Sequence, residues 1–280
     1  MRFRYLAEQI YLRPWFITPE AHASIRLVFE RALATGLTLP KTAAEFSFTD
    51  LFPQRTGLTI DTEGVAEIHV LGPVGKGLSK IEQSCGATGF EQIAADFDTA
   101  RAQGARAILL NVNSPGGTVT GTPECAALVA DTAAEIPVCA YCDDTMASAA
   151  YYLAAGAGRI VATPSAAVGS IGVYIPWIDR SAQYAAAGLK PDPIVNTGGD
   201  LKALGFGGAL TTEQRAHLQA QVDEDFALFK NHVLAHRLVA PEAMRGQCLS
   251  GQSALAANLV DEIGTKATAR AWLVGKVGNR

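Results

Sequence analysis

Two hydrophobic rhythms take turns along this chain. Over residues 64–74 apolar positions alternate with Glu67 and His69, the period of a half-buried strand, and the run stops at Gly72-Pro73. Residues 75–86 mix glycine, serine and lysine and read as a loop. From about Gly89 the period changes, and Phe90, Ile93, Phe97 and Ala100 fall on one face of a helix. Residues 107–113 are largely apolar, as in a strand covered on both faces of a parallel sheet. A helix over 123–134, a strand over 137–141, a helix from Ser148 to about Gly156 and a strand over 159–162 continue the alternation. Helix over 180–187 and extended chain over 193–195 repeat it once more. Repeated strand–helix units predict an α/β fold with a largely parallel sheet.

The two ends differ from this middle. Thr211-x-x-Gln214 is a capping box, and behind it Leu218, Val222, Phe226, Phe229 and Val233 mark a long amphipathic helix reaching about Arg237. Near the N-terminus Thr18-Pro19-Glu20 is a helix start, with Ile25, Val28, Phe29, Ala32 and Leu33 at helical spacing and Gly36 ending the pattern. Residues 37–56 show little periodicity and read as a connecting arm. The expected division is a helical leader and arm over 1–56 and a main domain over 57–280.

Composition narrows the function. The chain has 280 residues, 49% hydrophobic and 18% charged, which is globular, and its net charge of -4 offers no basic face for nucleic acid. Five cysteines at irregular spacing do not describe a disulfide framework. Cys139-x-x-Cys142 lacks a second pair or matching histidines, so buried reduced thiols are expected, with no metal and no cofactor. Charges interrupt the first residues too soon for a signal peptide, and no run approaches the roughly 20 apolar residues a membrane span needs. A reducing, cytoplasmic setting without a membrane anchor is the expectation.

Three stretches carry candidate chemistry. Ser148 stands where the polar Asp143-Asp144-Thr145 gives way to an alanine-rich helix. It reads either as an ordinary N-cap or as a nucleophile at the positive end of the helix. Asn113-Ser114-Pro115-Gly116-Gly117 ends a strand in a sharp turn whose N–H groups suit an oxyanion hole, or form a plain left-handed turn. His22, His69, His217, His232 and His236 all lie on predicted regular structure, which supports no Ser-His-Asp triad. Lys202 lies in a glycine-bracketed loop. It acts as a base only if neighbours such as Leu201, Leu204 and Phe206 bury it enough to keep it neutral, and is otherwise a solvated lysine.

Taken in order, Ser-Pro-Gly-Gly, Ala-Ser-Ala-Ala-Tyr-Tyr at Ser148, Val-Gly-Ser-Ile-Gly-Val at Ser170 and the glycine-flanked Lys202 resemble the signal peptide peptidase A family. The resemblance runs from about Gly64 to Gly264, including Leu249-Ser250-Gly251 and Leu259-Val260-Asp261. It implies a ClpP/crotonase-type fold and a Ser/Lys-dyad serine peptidase. Ser148 then matches the nucleophile, Lys202 the general base and Ser170 the hydroxyl that orients the lysine. Gly116, Gly117 and the N–H of Ala149 match the oxyanion-hole region. Ala149-Ala150 departs from the usual Ser-Gly-Gly, which suits helix formation and narrows the room beside the serine. An anchor-free chain with a short helical leader resembles the phage head-maturation proteases of this family. That implies capsid or scaffold proteins as substrates, action inside an assembling shell and a homo-oligomer. A signal-peptide-degrading enzyme, an inactive scaffold-binding relative and an acyl-CoA enzyme of crotonase type are the alternatives.

Overall fold

A strand that is apolar on both faces needs cover from both sides, and the fold is arranged around one such strand. The computed structural model describes residues 14–34, 58–84, 86–204 and 208–278. The expected arm at 37–56, and Phe206 beside Lys202, lie outside the described residues. The first described elements are β1 (Trp15–Ile17) and α1 (Pro19–Ala34), followed by β2 (Thr59–Ile60), β3 (Val65–Leu71) and β4 (Val74–Gly75). Next come α2 (Lys80–Ser84), β5 (Thr88–Gly89) and α3 (Phe90–Ala102). β6 (Ala107–Asn113), β7 (Gly116–Thr118) and α4 (Thr122–Glu135) form one strand–strand–helix unit. β8 (Val138–Cys142), β9 (Thr145–Ala147) and α5 (Ala149–Ala155) form another. β10 (Arg159–Ala162), β11 (Ala167–Gly169), α6 (Ser181–Ala186) and a 3-10 turn at Asp200–Ala203 lead to α7 (Thr212–His236). After a 3-10 turn at Pro241–Ala243 come β12 (Cys248–Ser250), α8 (Gly251–Ala256), β13 (Glu262–Ile263) and α9 (Lys266–Gly278).

The first strand of each unit enters a six-stranded sheet of order β13-β10-β8-β6-β3-β2, parallel except at the β2 edge. The second strand of each unit goes to a small sheet, either β1-β7-β4-β5 or β12-β11-β9. The parallel α/β architecture expected from the alternation is therefore present. Ile108, Leu110 and Val112 of β6 pack with α3, α4 and α5 residues in the main core, while Ala107 and Leu109 join Ala269, Leu273 and Val277 of α9. Each large apolar side chain buried this way contributes about 1.5–3 kcal/mol. That two-sided cover explains why β6 reads as a continuous apolar run.

The structure departs from the sequence pattern in several places. Residues 193–195 form no strand, and Ile194 is 98% exposed: this proline-led segment has no sheet edge to join. The stretch at 75–86 holds the end of β4 and helix α2. Residues 15–17, read as part of the leader, form a buried strand paired antiparallel with β7. Cys139 and Cys142 lie three apart on β8, so Cys139 faces the α9 layer and Cys142 the main core. The pair therefore cannot share a metal ion, and burial pushes both thiols up to about 12. Among the described residues no helix is long and apolar enough to cross a membrane.

Arg237, just past α7, joins three parts of the core. It donates to the carbonyls of Ala155 (3.2 Å) and Ala157 (2.6 Å) and to Asp261 Oδ2 (2.6 Å), with only 9% of the residue exposed. Those bonds satisfy carbonyls at the end of α5 that the helix itself leaves unpaired. Arg237→Ala would leave those two carbonyls without their donor. Urea denaturation should show a loss of ~3 kcal/mol, whereas a midpoint like that of the wild type would show that the clamp is dispensable.

Candidate active site

The end of β6 sets the first half of the site. Ser114, fully buried, donates its N–H to Thr145 O (2.7 Å) and accepts from Ala147 N (3.1 Å), which joins the turn after β6 to β9. The next residues must be glycine for steric reasons. Gly116 has φ +101°, and a Cβ there would overlap the carbonyl oxygen of Phe16 and lie 2.9 Å from Cβ of Ser148. A Cβ on Gly117 would overlap the Val74 carbonyl of the neighbouring β4. Gly116 N–H donates to Ser114 Oγ (3.2 Å).

Ser148 follows β9 at the start of α5. Its backbone sits at φ 55°, ψ −120°, rarely adopted by a residue with a side chain. Its N–H donates to Gly169 O (2.8 Å) and its carbonyl accepts from Tyr152 N (2.8 Å), the first turn of the helix. The hydroxyl makes no capping hydrogen bond, so the ordinary N-cap reading fails. Oγ is buried and has no hydrogen-bond partner among the described residues. Ala149 and Ala150 are fully buried, so their methyl groups are accommodated where glycines were the family expectation.

Ser170 stands beside this turn. β9 and β11 run parallel with Ala147 opposite Gly169, so the residues that follow, Ser148 and Ser170, leave their strands side by side. Ser170 also has positive φ (52°) and is 5% exposed, with its N–H on Gln247 O (2.8 Å). Cys248, opposite Gly169 on β12, has its thiol pushed up by burial and by Glu20, with the neighbouring Ser170 hydroxyl acting the other way. Lys202 is elsewhere in this arrangement. It is exposed on the turn Asp200–Ala203, which Gln214 Nε2 ties to the start of α7 through Asp200 O (3.2 Å). Within the described chain, Ser148, Ser170, Gly116, Gly117 and Ala149 come together, and Lys202 does not join them.

Behind α5 lies an aromatic cluster that the sequence pattern did not single out. Tyr152 packs on Phe229 (4.8 Å between centroids) and Phe16 (5.8 Å), and His232 stacks on it at 4.4 Å. His232 is thus a packing residue. Its Nε2 is buried without a hydrogen-bond partner among the described residues, and burial, with His236 4.8 Å away, lowers its pKa to about 4. His69 has Glu67 and Asn111 as neighbours on the central sheet. Neither histidine is hydrogen-bonded to Ser148 Oγ.

The chain is similar to known proteins along much of its length. The model of peptidase family S49 matches residues 130–278, which hold Ser148, Ser170 and Lys202. Head-tail preconnector protein GP5 of Enterobacteria phage P21 is 30% identical over 204 residues, covering 71% of this chain and 40% of that protein. Capsid assembly protease C of Escherichia phage lambda is 25% identical over 264 residues, 92% of this chain and 60% of its own length. Protease 4 of Salmonella typhi is 29% identical over 244 residues, 84% and 38%. The chain therefore spans between about two fifths and three fifths of these relatives.

Two consequences can be measured. Gly117→Ala places a methyl group into the Val74 carbonyl and should cost ~3 kcal/mol of stability; a denaturation midpoint like that of the wild type would show that β4 and β7 can separate freely. The second concerns pH. The folded-state pKa of His232, about 4, lies below the unfolded value of about 6.5, so the unfolded chain binds the extra proton between them. Its contribution is complete above pH 6.5 and is lost as pH falls toward 4. His232→Phe keeps the stack and should lose less stability between pH 7 and pH 5 than the wild type does, read from urea midpoints; equal losses would exclude His232 as the cause.

Proposed function

The chain belongs to peptidase family S49, and from that premise we propose that it is a serine endopeptidase with Ser148 as nucleophile and Lys202 as general base. The observation that carries this reading is the Ser148 hydroxyl: buried, held on a strained backbone, without a hydrogen-bond partner among the described residues and flanked by the glycine turn. Natural proteins retain such strain and such unsatisfied hydroxyls mainly where function requires them. In the proposed reaction Ser148 Oγ attacks a peptide carbonyl while its proton passes to Lys202 Nζ. Lys202 then returns the proton to the leaving amine, and water hydrolyses the acyl-enzyme by the same path in reverse. Ser170 orients the lysine. The oxyanion faces the N–H groups of Gly117 and Ala149, because the Gly116 N–H is occupied by Ser114 Oγ and Gly116 acts by letting the turn close. No step calls for a metal or cofactor.

Lys202 is exposed on its turn and makes no hydrogen bond to Ser148 Oγ, so the proposed dyad needs either movement of that turn or a lysine from a second copy. A homo-oligomer with sites completed between copies fits best, since the segment around Lys202 carries exposed Leu189, Ile194 and Val195. The names of the two phage relatives point to head assembly, and capsid or scaffold proteins are the substrates proposed here.

Purified Ser148→Ala should lose cleavage of a fluorogenic peptide entirely. Its stability should stay within about 1 kcal/mol of wild type, because the lost hydroxyl has no hydrogen-bond partner among the described residues. Cleavage at the wild-type rate would remove Ser148 from the mechanism. Lys202→Met should be equally inactive, and mixing it with Ser148→Ala should restore up to about a quarter of the activity if sites are shared in a dimer-like pair. No recovery would place both residues of each site in one chain.

A further inference from the structure

The glycine turn beside Ser148 is not open. Trp15, Phe16 and Ile17 lie along β7 in antiparallel register, Trp15 opposite Thr118, Phe16 opposite Gly117 and Ile17 opposite Gly116. The Thr18 N–H donates to Pro115 O (3.0 Å), which sets the phase of the ladder and makes Phe16 and Gly117 the next hydrogen-bonding pair. On its other side the same segment is bonded to Tyr174, with Trp15 N donating to Tyr174 O (3.1 Å) and Tyr174 N to Trp15 O (3.4 Å). A three-residue segment is thus held between two backbone edges, which is how an extended peptide is bound by strand addition.

Its position relative to the nucleophile is specific. The carbonyl oxygen of Phe16 and Cβ of Ser148 border the same point above Gly116, the one a Cβ there would fill. Successive residues of a strand face opposite ways, and Phe16 turns its ring into the cluster of Tyr152 and Phe229, the latter at 5.0 Å. Tyr152 lies one helical turn after Ser148, so Phe16 fills a pocket built directly onto the nucleophile's own helix. Backbone bonds on both sides, a carbonyl facing the Gly117 N–H and an apolar side chain in an adjoining pocket are what a peptidase needs from a substrate.

Resting on the peptidase reading above, we propose that Trp15–Ile17 occupies the substrate cleft of this same chain in the manner of a bound peptide, with Phe16 in the pocket for the residue before the scissile bond. The chain is latent while β1 is in place. Its external substrates are extended segments that enter the same slot and offer a phenylalanine-like residue to the Tyr152–Phe229 pocket.

A disulfide lock tests the proposal in the full chain. Trp15 and Thr118 form a non-hydrogen-bonded antiparallel pair, whose Cα separation of roughly 4.5 Å lies within disulfide range. The Trp15→Cys/Thr118→Cys protein is assayed on a fluorogenic peptide containing Phe, oxidised and then reduced, with bridge formation confirmed by mass. The expected result is a rate at least tenfold lower when oxidised and restored by reductant, with the Thr118→Cys single variant indifferent to the same treatment. An oxidised, bridged protein as active as its reduced form would overturn the proposal. Phe16→Ala, checked for folding by circular dichroism, should raise kcat/KM for that peptide about tenfold, mostly through KM; an unchanged or lower value in the folded variant counts against occupancy. A wild type with no Ser148-dependent cleavage would sink the peptidase reading and the proposal with it, whereas an active wild type with an indifferent lock sinks the occupancy alone.

Discussion

Everything at the site depends on keeping Ser148 in a backbone conformation that a residue with a side chain disfavours. Such a conformation costs on the order of 1–3 kcal/mol and persists only if its surroundings over-determine it. Here they do. The Ser148 N–H is fixed by Gly169 across the β9–β11 register, and its carbonyl is fixed by the first turn of α5. All seven residues of α5 are buried, four of them alanines, which lets the helix sit close against α4 and the sheet. At the far end Arg237 binds the carbonyls of Ala155 and Ala157. The helix cannot slide or tilt to relax the turn, so the strain stays at the residue that uses it.

How far this could be read from the sequence depended on element length. β6 and α3 were legible because seven and thirteen residues are enough to show a period, and because two-sided cover leaves an unbroken apolar run. The strands that build the site, β1, β7, β9, β11 and β12, have three residues each and show no period at all. Their pairing is decided by close backbone approach, as at Gly117 against Val74, and only a folded chain displays that. Trp15-Phe16-Ile17 therefore read as part of a leader, although three consecutive large apolar residues before a helix start were a visible signal of burial. Ser148, Ser170 and the glycine turn were legible as motifs. That Ser148 and Ser170 lie side by side was not, because it follows from a parallel register between strands twenty residues apart.

The histidines show how environment overrides residue type. His232 stacks face to face on Tyr152 of the helix that starts at Ser148, yet burial and a neighbouring histidine hold it neutral. A base must reach the proton it removes, and no imidazole does so here. In the proposed mechanism that part falls to Lys202, which is exposed on its turn.

That division has a structural logic. The proposed nucleophile starts a fully buried helix, where position is exact to the extent that packing is tight. Lys202 occupies the segment between β11 and α7, whose described residues join no sheet beyond the Trp15–Tyr174 bridge and are tied to their surroundings by bonds such as Ala209 N to Ser181 Oγ (3.2 Å) and Gln214 to Asp200 O. The same segment borders a cavity of about 680 Å³ lined by Trp177, Tyr184, Leu189, Pro191 and Pro193, and it exposes Ile194 almost completely. Apolar surface of that kind is stable in water only at a cost that a packing partner would remove. On the proposed reading, a base placed there is brought to Ser148 by whatever covers the segment, while β1 fills the slot in the uncovered chain. Activity would then depend on two separable events, release of β1 and arrival of the lysine, with the strained serine unchanged through both.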